Sequence, residues 1–232
     1  MDSVTNRAEA AAPVLDGLLR QRWSCRGFLE TPVPRPTIER LLEMAQRTPS
    51  WCNTQPWHVT ITSGAATRRL AEGLGAHQRS GAPDTPDLPF PDAYRGTYLE
   101  RRRECGFQLY GALGIERGDR ARSSAQMLEN FRFFGAPHFA LITTERELGT
   151  YGAIDCGGYV SVFLLAAQSL GLAAVPQAAV AAFAPWLREY FSLPDTRLVV
   201  CGISFGYADE AHAANGFRTN RAPIHEAVDW RE

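Results

Sequence analysis

Lysine is missing altogether: all 24 basic residues among the 232 are arginine. This excludes a Schiff-base lysine or a lysine cofactor anchor, and leaves every cationic contact to a planar guanidinium fork. Net charge is scarce too, at −1, so there is no basic field to draw in nucleic acid or anionic lipid. Five cysteines (25, 52, 105, 156, 201) make an odd, scattered set without a Cys-x-x-Cys pair, which argues against a disulfide framework or a zinc site. The five histidines (58, 77, 138, 212, 225) show no metal-ligand spacing. No unbroken apolar run approaches the roughly 18 residues of a membrane span. The first dozen residues lack a signal-peptide core. Together these absences point to a cytoplasmic protein that engages neither membrane nor nucleic acid.

What is present suits one domain. Apolar residues make up 45 % of the chain, enough for a sizeable core. Residues 1–12 read as a flexible polar tail and 13–232 as a single domain. Val14, Leu15, Leu18 and Leu19 lie on one face of a short helix starting at Pro13, and Ile38, Leu41, Leu42 and Ala45 on one face of a second. Residues 57–62, 137–143, 173–176 and 198–205 read as strands. Helices are expected at 65–77, 152–170 and 184–191. Four prolines between residues 80 and 92 forbid regular structure there, and 93–134 is helical and rich in aromatics. Residues 79–135 thus form a loop-and-helix insert. Ala153, Gly157 and Ser161 put small side chains four apart on a helix; tight packing within a subunit and a dimer core fit equally. The alternation of strands and helices predicts an α/β or α+β sandwich.

The most chemically suggestive stretch is Arg22-Trp23-Ser24-Cys25-Arg26. Its two arginines and serine suit a phosphate and a nearby anionic group, because guanidinium makes charge-assisted, bidentate bonds. One helix later comes Pro49-Ser50-Trp51-Cys52-Asn53-Thr54-Gln55-Pro56-Trp57, a polar loop leading into a buried strand. Three more stretches follow in order: Gly171-Leu172-Ala173-Ala174-Val175-Pro176-Gln177-Ala178, Gly202-Ile203-Ser204-Phe205-Gly206-Tyr207, and Phe217-Arg218-Thr219-Asn220-Arg221-Ala222-Pro223.

This ordered set resembles the FMN-dependent nitroreductase family, in which Arg-x-Ser-x-Arg/Lys precedes Pro-Ser-x-x-Asn-x-Gln-Pro-Trp by some two dozen residues. Arg101-Arg102-Arg103, the Cys-Gly-Phe-Gln-Leu-Tyr run at 105–110 and Phe133-Phe134-Gly135-Ala136-Pro137 look most like its nitrobenzoate-reducing branch. The resemblance implies a mostly antiparallel sheet flanked by helices, a domain-swapped C-terminal arm, and a homodimer with FMN at the subunit interface. It implies that Arg22, Ser24 and Arg221 hold the FMN phosphate, with Trp23, Gly206 and Arg218 also in the cofactor site. Arg26 would face the N1–C2=O edge of the ring, where negative charge gathers on reduction. Pro176, Gln177 and Ala178 would pass along N5, and Pro49, Ser50, Trp51 and Asn53 would come from the partner subunit. Trp51 and Cys52 depart from the family pattern, where those positions are commonly small.

The activity implied is NAD(P)H-dependent reduction of a small aromatic acceptor, a nitroarene or a quinone, by ping-pong exchange through the flavin without a catalytic acid–base residue. Trp51, Tyr98, Phe107 and Tyr110 are candidates to touch that acceptor. Two alternatives are a reductive dehalogenase of the same fold, whose lysine-bearing lid this chain cannot build, and a flavin-binding redox sensor without turnover. Blander readings stand beside these: Arg101–Arg103 as a solvated helix face, the aromatics as core, Cys25 and Cys52 as small buried thiols, His58 as structural, and Trp186 and Trp230 as packing and tail docking.

Overall fold

The strand at residues 138–145 carries the apolar run Phe139-Ala140-Leu141-Ile142, and seven of its eight positions are buried. A strand covered on both faces needs that pattern, and it runs through the middle of the molecule. The computed structural model describes residues 2–232, with side chains from residue 10 onward. Strands β1 (His58–Ser63), β2 (His138–Glu145), β3 (Ala173–Gln177) and β4 (Arg197–Gly206) form one antiparallel sheet in the order β1-β2-β4-β3. Around it stand α1 (Asp2–Gln21), α2 (Arg35–Ala45), α3 (Ala65–Arg79), α4 (Gly96–Ala112), α5 (Arg120–Leu128), α6 (Gly149–Ser169) and α7 (Ala184–Phe191). The result is the expected α+β sandwich.

Alternation along β2 divides the core. Phe139 and Leu141 face Leu70 and Leu74 of α3, Leu187 of α7, and Phe131 and Phe133. Ala140 and Ile142 face Ile38 and Leu41 of α2 and Tyr159, Phe163 and Ala167 of α6. Each large side chain so buried is worth about 1.5–3 kcal/mol. Gly202 on β4 is required by this packing, since a Cβ there would lie 2.4 Å from the Phe139 ring. Gly171, at φ +71°, closes α6 in the left-handed conformation that glycine adopts freely.

Helix α1 differs from expectation. It begins at Asp2 and continues through Pro13, where the sequence suggests a polar tail followed by a helix. Residues 9–12, Glu-Ala-Ala-Ala, are strong helix formers, and they carry the helix across the proline. Met1 lies outside the described residues. The segment Arg146–Ser169 is long and apolar enough, by composition alone, to span a membrane. Here it contains α6, a core helix with seven buried residues.

The proline-rich loop is anchored rather than loose. Thr85 N–H donates to Ala182 O at 2.7 Å, and Asp87 takes both the Arg188 guanidinium and the Val199 N–H. By contrast α4 has no buried residue. The C-terminal segment crosses it, with Arg101 Nη2 to Glu226 Oε2 at 2.7 Å and Asn220 Nδ2 to Glu104 Oε1 at 2.7 Å. Trp186 packs on Tyr190 and His77 as expected. Trp230, read as docking the tail, is 79 % exposed, and Cys52, read as a buried thiol, is exposed: both lie where no core forms.

Candidate active site

Residues 22–28 run along the outer edge of β3 as a rudimentary extra strand. Ser24 bridges Ala174, Cys25 N–H donates to Ala174 O at 3.3 Å, and Leu29 N–H donates to Tyr207 O at 2.9 Å. Cys25 is 0 % exposed and points into the core, so its neighbours Ser24 and Arg26 are turned outward. The C-terminal segment folds back over this edge and brings Arg218 and Arg221 to it.

The two segments enclose a cavity of about 820 Å³ whose lining includes Arg22, Trp23, Ser24, Arg26, Cys105, Phe217, Arg218, Thr219 and Arg221. Arg218 lies over the Trp23 ring at 4.2 Å. Its Nη1 donates to the carbonyls of Asn215 and Phe217, each at 2.8 Å. Arg221 Nη1 donates to Thr219 Oγ1 at 2.9 Å, and Arg26 Nη1 to Ser24 O at 3.1 Å.

Among the described residues, none of Arg22, Arg26, Arg218 and Arg221 forms an ion pair. Burial and the charge of Arg221 push the Arg22 pKa down, and burial does the same to Arg26. Half-buried cations without a counter-ion, one of them beside a second guanidinium, call for an anion. The buried Trp23 Nε1–H also lacks an acceptor. A ligand with a phosphate and a flat ring system fits these residues: guanidiniums for the phosphate, Trp23 and Phe217 as apolar wall. FMN is such a ligand.

Other expected site residues lie elsewhere in the chain. Ser50 Oγ accepts from Gln55 N–H at 2.8 Å, and the Gln55 amide donates to Asn53 O at 3.2 Å. The Ser-x-x-Asn-x-Gln pattern thus folds its own loop, which holds Cys52, Asn53 and Gln55 at positive φ. Pro49 and Asn53 line a separate hollow with Gln46 and Arg47. Trp51 is 61 % exposed, its ring 4.4 Å from the Tyr151 ring, and its backbone N–H donates to Asp155 Oδ2 at 3.1 Å. Within one chain this loop does not reach the arginine cavity.

Gln177 is buried, donating to Asn130 O at 2.8 Å and accepting from Ser204 Oγ. Its side chain braces the backbone at 176–178 from behind, while Ala178 is exposed. Gly206 lies outside the cavity lining and makes room for Pro137, whose Cδ would be 2.8 Å from an added Cβ. Tyr98 is 71 % exposed on α4, Phe107 lies under Arg117 at 4.4 Å, and Tyr110 is half-buried; none lines the arginine cavity. A second cavity, of about 420 Å³, meets the other side of Arg26 and is lined by Leu113, Ile115, Arg122, Gln126, Glu129, Phe134 and His212. Sequence reasoning missed His212 and Asn215, which no local motif marks, and Cys105, which opens the Cys-Gly-Phe-Gln-Leu-Tyr run but is not among the expected site residues.

The profile of the nitroreductase family matches residues 19–207, the span from the end of α1 through β4 and just beyond. The chain belongs to the nitroreductase family. Within it, the chain is 38 % identical over 219 residues to nitroreductase NfnB of Mycolicibacterium smegmatis, covering 94 % of this chain and 92 % of that one. It is 35 % identical over 224 residues to a 4-nitrobenzoate reductase of Nocardioides sp., covering 95 % and 91 %. The crystal structure of the FMN-dependent nitroreductase NfnB from Mycobacterium smegmatis in complex with NADPH superposes with TM-score 0.90 at 36 % identity, over 96 % of this chain and 100 % of that one. This family member thus shares both the fold and the chain length of those enzymes.

Proposed function

We propose that this nitroreductase-family chain is an FMN-dependent oxidoreductase that uses NADH or NADPH to reduce a small nitroaromatic acceptor. The observation that carries the reading is that Arg22, Arg26, Arg218 and Arg221, from segments nearly two hundred residues apart, face one cavity without acidic partners, while the fifth arginine at its rim, Arg20, pairs with Asp16. Arg22, Ser24, Arg218 and Arg221 would hold the phosphate. Arg26 would supply a fixed cation beside the ring, where it stabilises negative charge. FMN, when bound, supplies the two-electron exchange between nucleotide and acceptor; the protein binds, orients and excludes water. The relatives named for nitroarene and nitrobenzoate reduction support this substrate class.

The site is completed in a homodimer. Tyr151, Ile154, Gly157 and Ser161 form an exposed strip on α6, next to exposed Val14, Leu15 and Leu19 of α1 and to Trp51. Exposed large apolar side chains beside small ones suit a permanent interface. It would carry Pro49, Ser50, Trp51 and Asn53 to the partner's cofactor, with Pro176 to Ala178 supplying backbone contacts. The second cavity, walled by the 79–135 insert and touching Arg26, is the place for the acceptor, and the C-terminal arm extends along the partner. The protein is soluble in this account.

Anaerobic mixing of the flavin-loaded protein with NADH or NADPH, then with 4-nitrobenzoate, tests the reading. Bleaching of the flavin by a nucleotide and its return on adding the nitroarene are expected. A flavin that stays oxidised with both nucleotides contradicts the assignment.

A further inference from the structure

Two of the cavity arginines, Arg26 and Arg218, are tied to one buried residue that does not line the cavity. Asn215 is 5 % exposed. Its Oδ1 accepts from the backbone N–H of Arg26 at 2.8 Å, across a sequence separation of 189 residues. Its Nδ2 donates to Gly27 O and to Asp209 O, both at 2.8 Å. Both amide protons and the carbonyl oxygen of the side chain are therefore engaged. The backbone of the same residue completes the knot: its carbonyl accepts from Arg218 Nη1 at 2.8 Å, and its N–H donates to His212 O at 2.8 Å.

The two segments cross very closely at this point. A Cβ on Gly27 would lie 2.3 Å from His212 Cγ and 2.5 Å from His212 Cβ, near-backbone atoms that cannot swing away. Arg26 is held further by its own bond to Ser24 O, and Arg218 by the Trp23 ring. Among the described residues, Asn215 is thus the one side chain that hydrogen-bonds the Arg26 backbone to the segment carrying Arg218 and Arg221.

We propose that Asn215 is a positioning residue for the anion-binding arginines: it touches no ligand and sets the placement of Arg26 relative to Arg218. This rests on the FMN reading above. A buried amide with all partners satisfied is costly to disturb, because each lost bond strands a backbone group. The alternative is that Asn215 only stabilises the fold.

Titration of the apoprotein with FMN, followed by quenching of flavin fluorescence, separates the two in a double-mutant cycle of Asn215→Ala with Arg26→Ala. If Asn215 acts through Arg26, Asn215→Ala weakens FMN about tenfold or more alone and adds little to Arg26→Ala. It also shifts the midpoint potential of the bound flavin in the same direction as Arg26→Ala. If its role is only structural, the two losses multiply and the potential stays put, which overturns the proposal. Asn215→Asp keeps the shape and the acceptor for Arg26 while removing both donors, and runs through the same cycle should the alanine variant fail to fold. Wild-type protein that binds FMN as tightly as both Asn215 variants overturns this proposal alone. Wild-type protein that binds no FMN overturns the cofactor reading and the proposal with it.

Discussion

Replacing Arg22 by alanine should move two measurable quantities in opposite directions. Without ligand, Arg22 is half-buried beside Arg221, and both its burial and that charge oppose its protonation. Two like charges repel by about 1 kcal/mol at 4 Å in a water-like dielectric, and solvent screening at a half-exposed site keeps the relief at or below that figure. In a chain of this length, each kcal/mol moves the thermal midpoint by about 2–4 °C. Arg22→Ala apoprotein is therefore expected to melt at the same temperature as wild type or up to about 4 °C above it. With FMN present the sign reverses. A charge-assisted hydrogen bond to phosphate is worth about 1.5–3 kcal/mol, so the variant should bind FMN roughly 10- to 150-fold more weakly. Differential scanning fluorimetry of the apoprotein and fluorescence titration with FMN read the two effects separately. A variant that melts several degrees lower while binding FMN unchanged would refute the argument, because Arg22 would then be a structural contact.

Two further outcomes follow from the fold. Gly157 faces open space in the single chain, where an added Cβ meets nothing within 4 Å; Gly157→Arg should leave secondary structure intact yet yield a monomer in light scattering that binds FMN poorly, and a dimer with normal affinity would dismiss α6 as the interface. His138 is 2 % exposed, with Nε2 accepting from Val33 N–H at 2.8 Å and Nδ1 bonded to Ser63 Oγ at 2.8 Å, and burial lowers its pKa from 6.5. Its folded pKa lies below the unfolded one, so the unfolded chain binds the extra proton first as pH falls. The neutral imidazole thus contributes full stability above about pH 6.5, lost progressively as pH drops below that toward the folded pKa. Denaturant midpoints should hold from pH 8 to 7 and fall between pH 6.5 and 5; a flat profile there would show that His138 is not buried neutral.

Much of this architecture was readable because the signals are local. The apolar run of β2, the i, i+3, i+4, i+7 face of α2 and the glycine ending α6 each report on their own neighbourhood. Helix α7 lies at residues 184–191, where the pattern puts it. The arginines at 22, 26, 218 and 221 were legible as a set only through their resemblance to a family, and the fold brings all four to one cavity. Tertiary crossings account for what was missed. Nothing near Asn215 in sequence reveals that it bonds to Arg26, and Gln177 sits in a cofactor-like motif while its side chain turns inward to Asn130 and Ser204. The start of α1 was obscured by Pro13, whose helix-breaking tendency the preceding alanines override.

FMN binding here depends on a phosphate seated among unpaired guanidiniums, and comparing FMN with riboflavin tests this most directly. The two share the ring and ribityl chain and differ only in the phosphate. With at least two charge-assisted bonds at stake, the apoprotein should bind FMN on the order of a hundredfold or more tighter than riboflavin, with the gap narrowing as salt is added. Equal affinity for both at low salt would contradict the central claim.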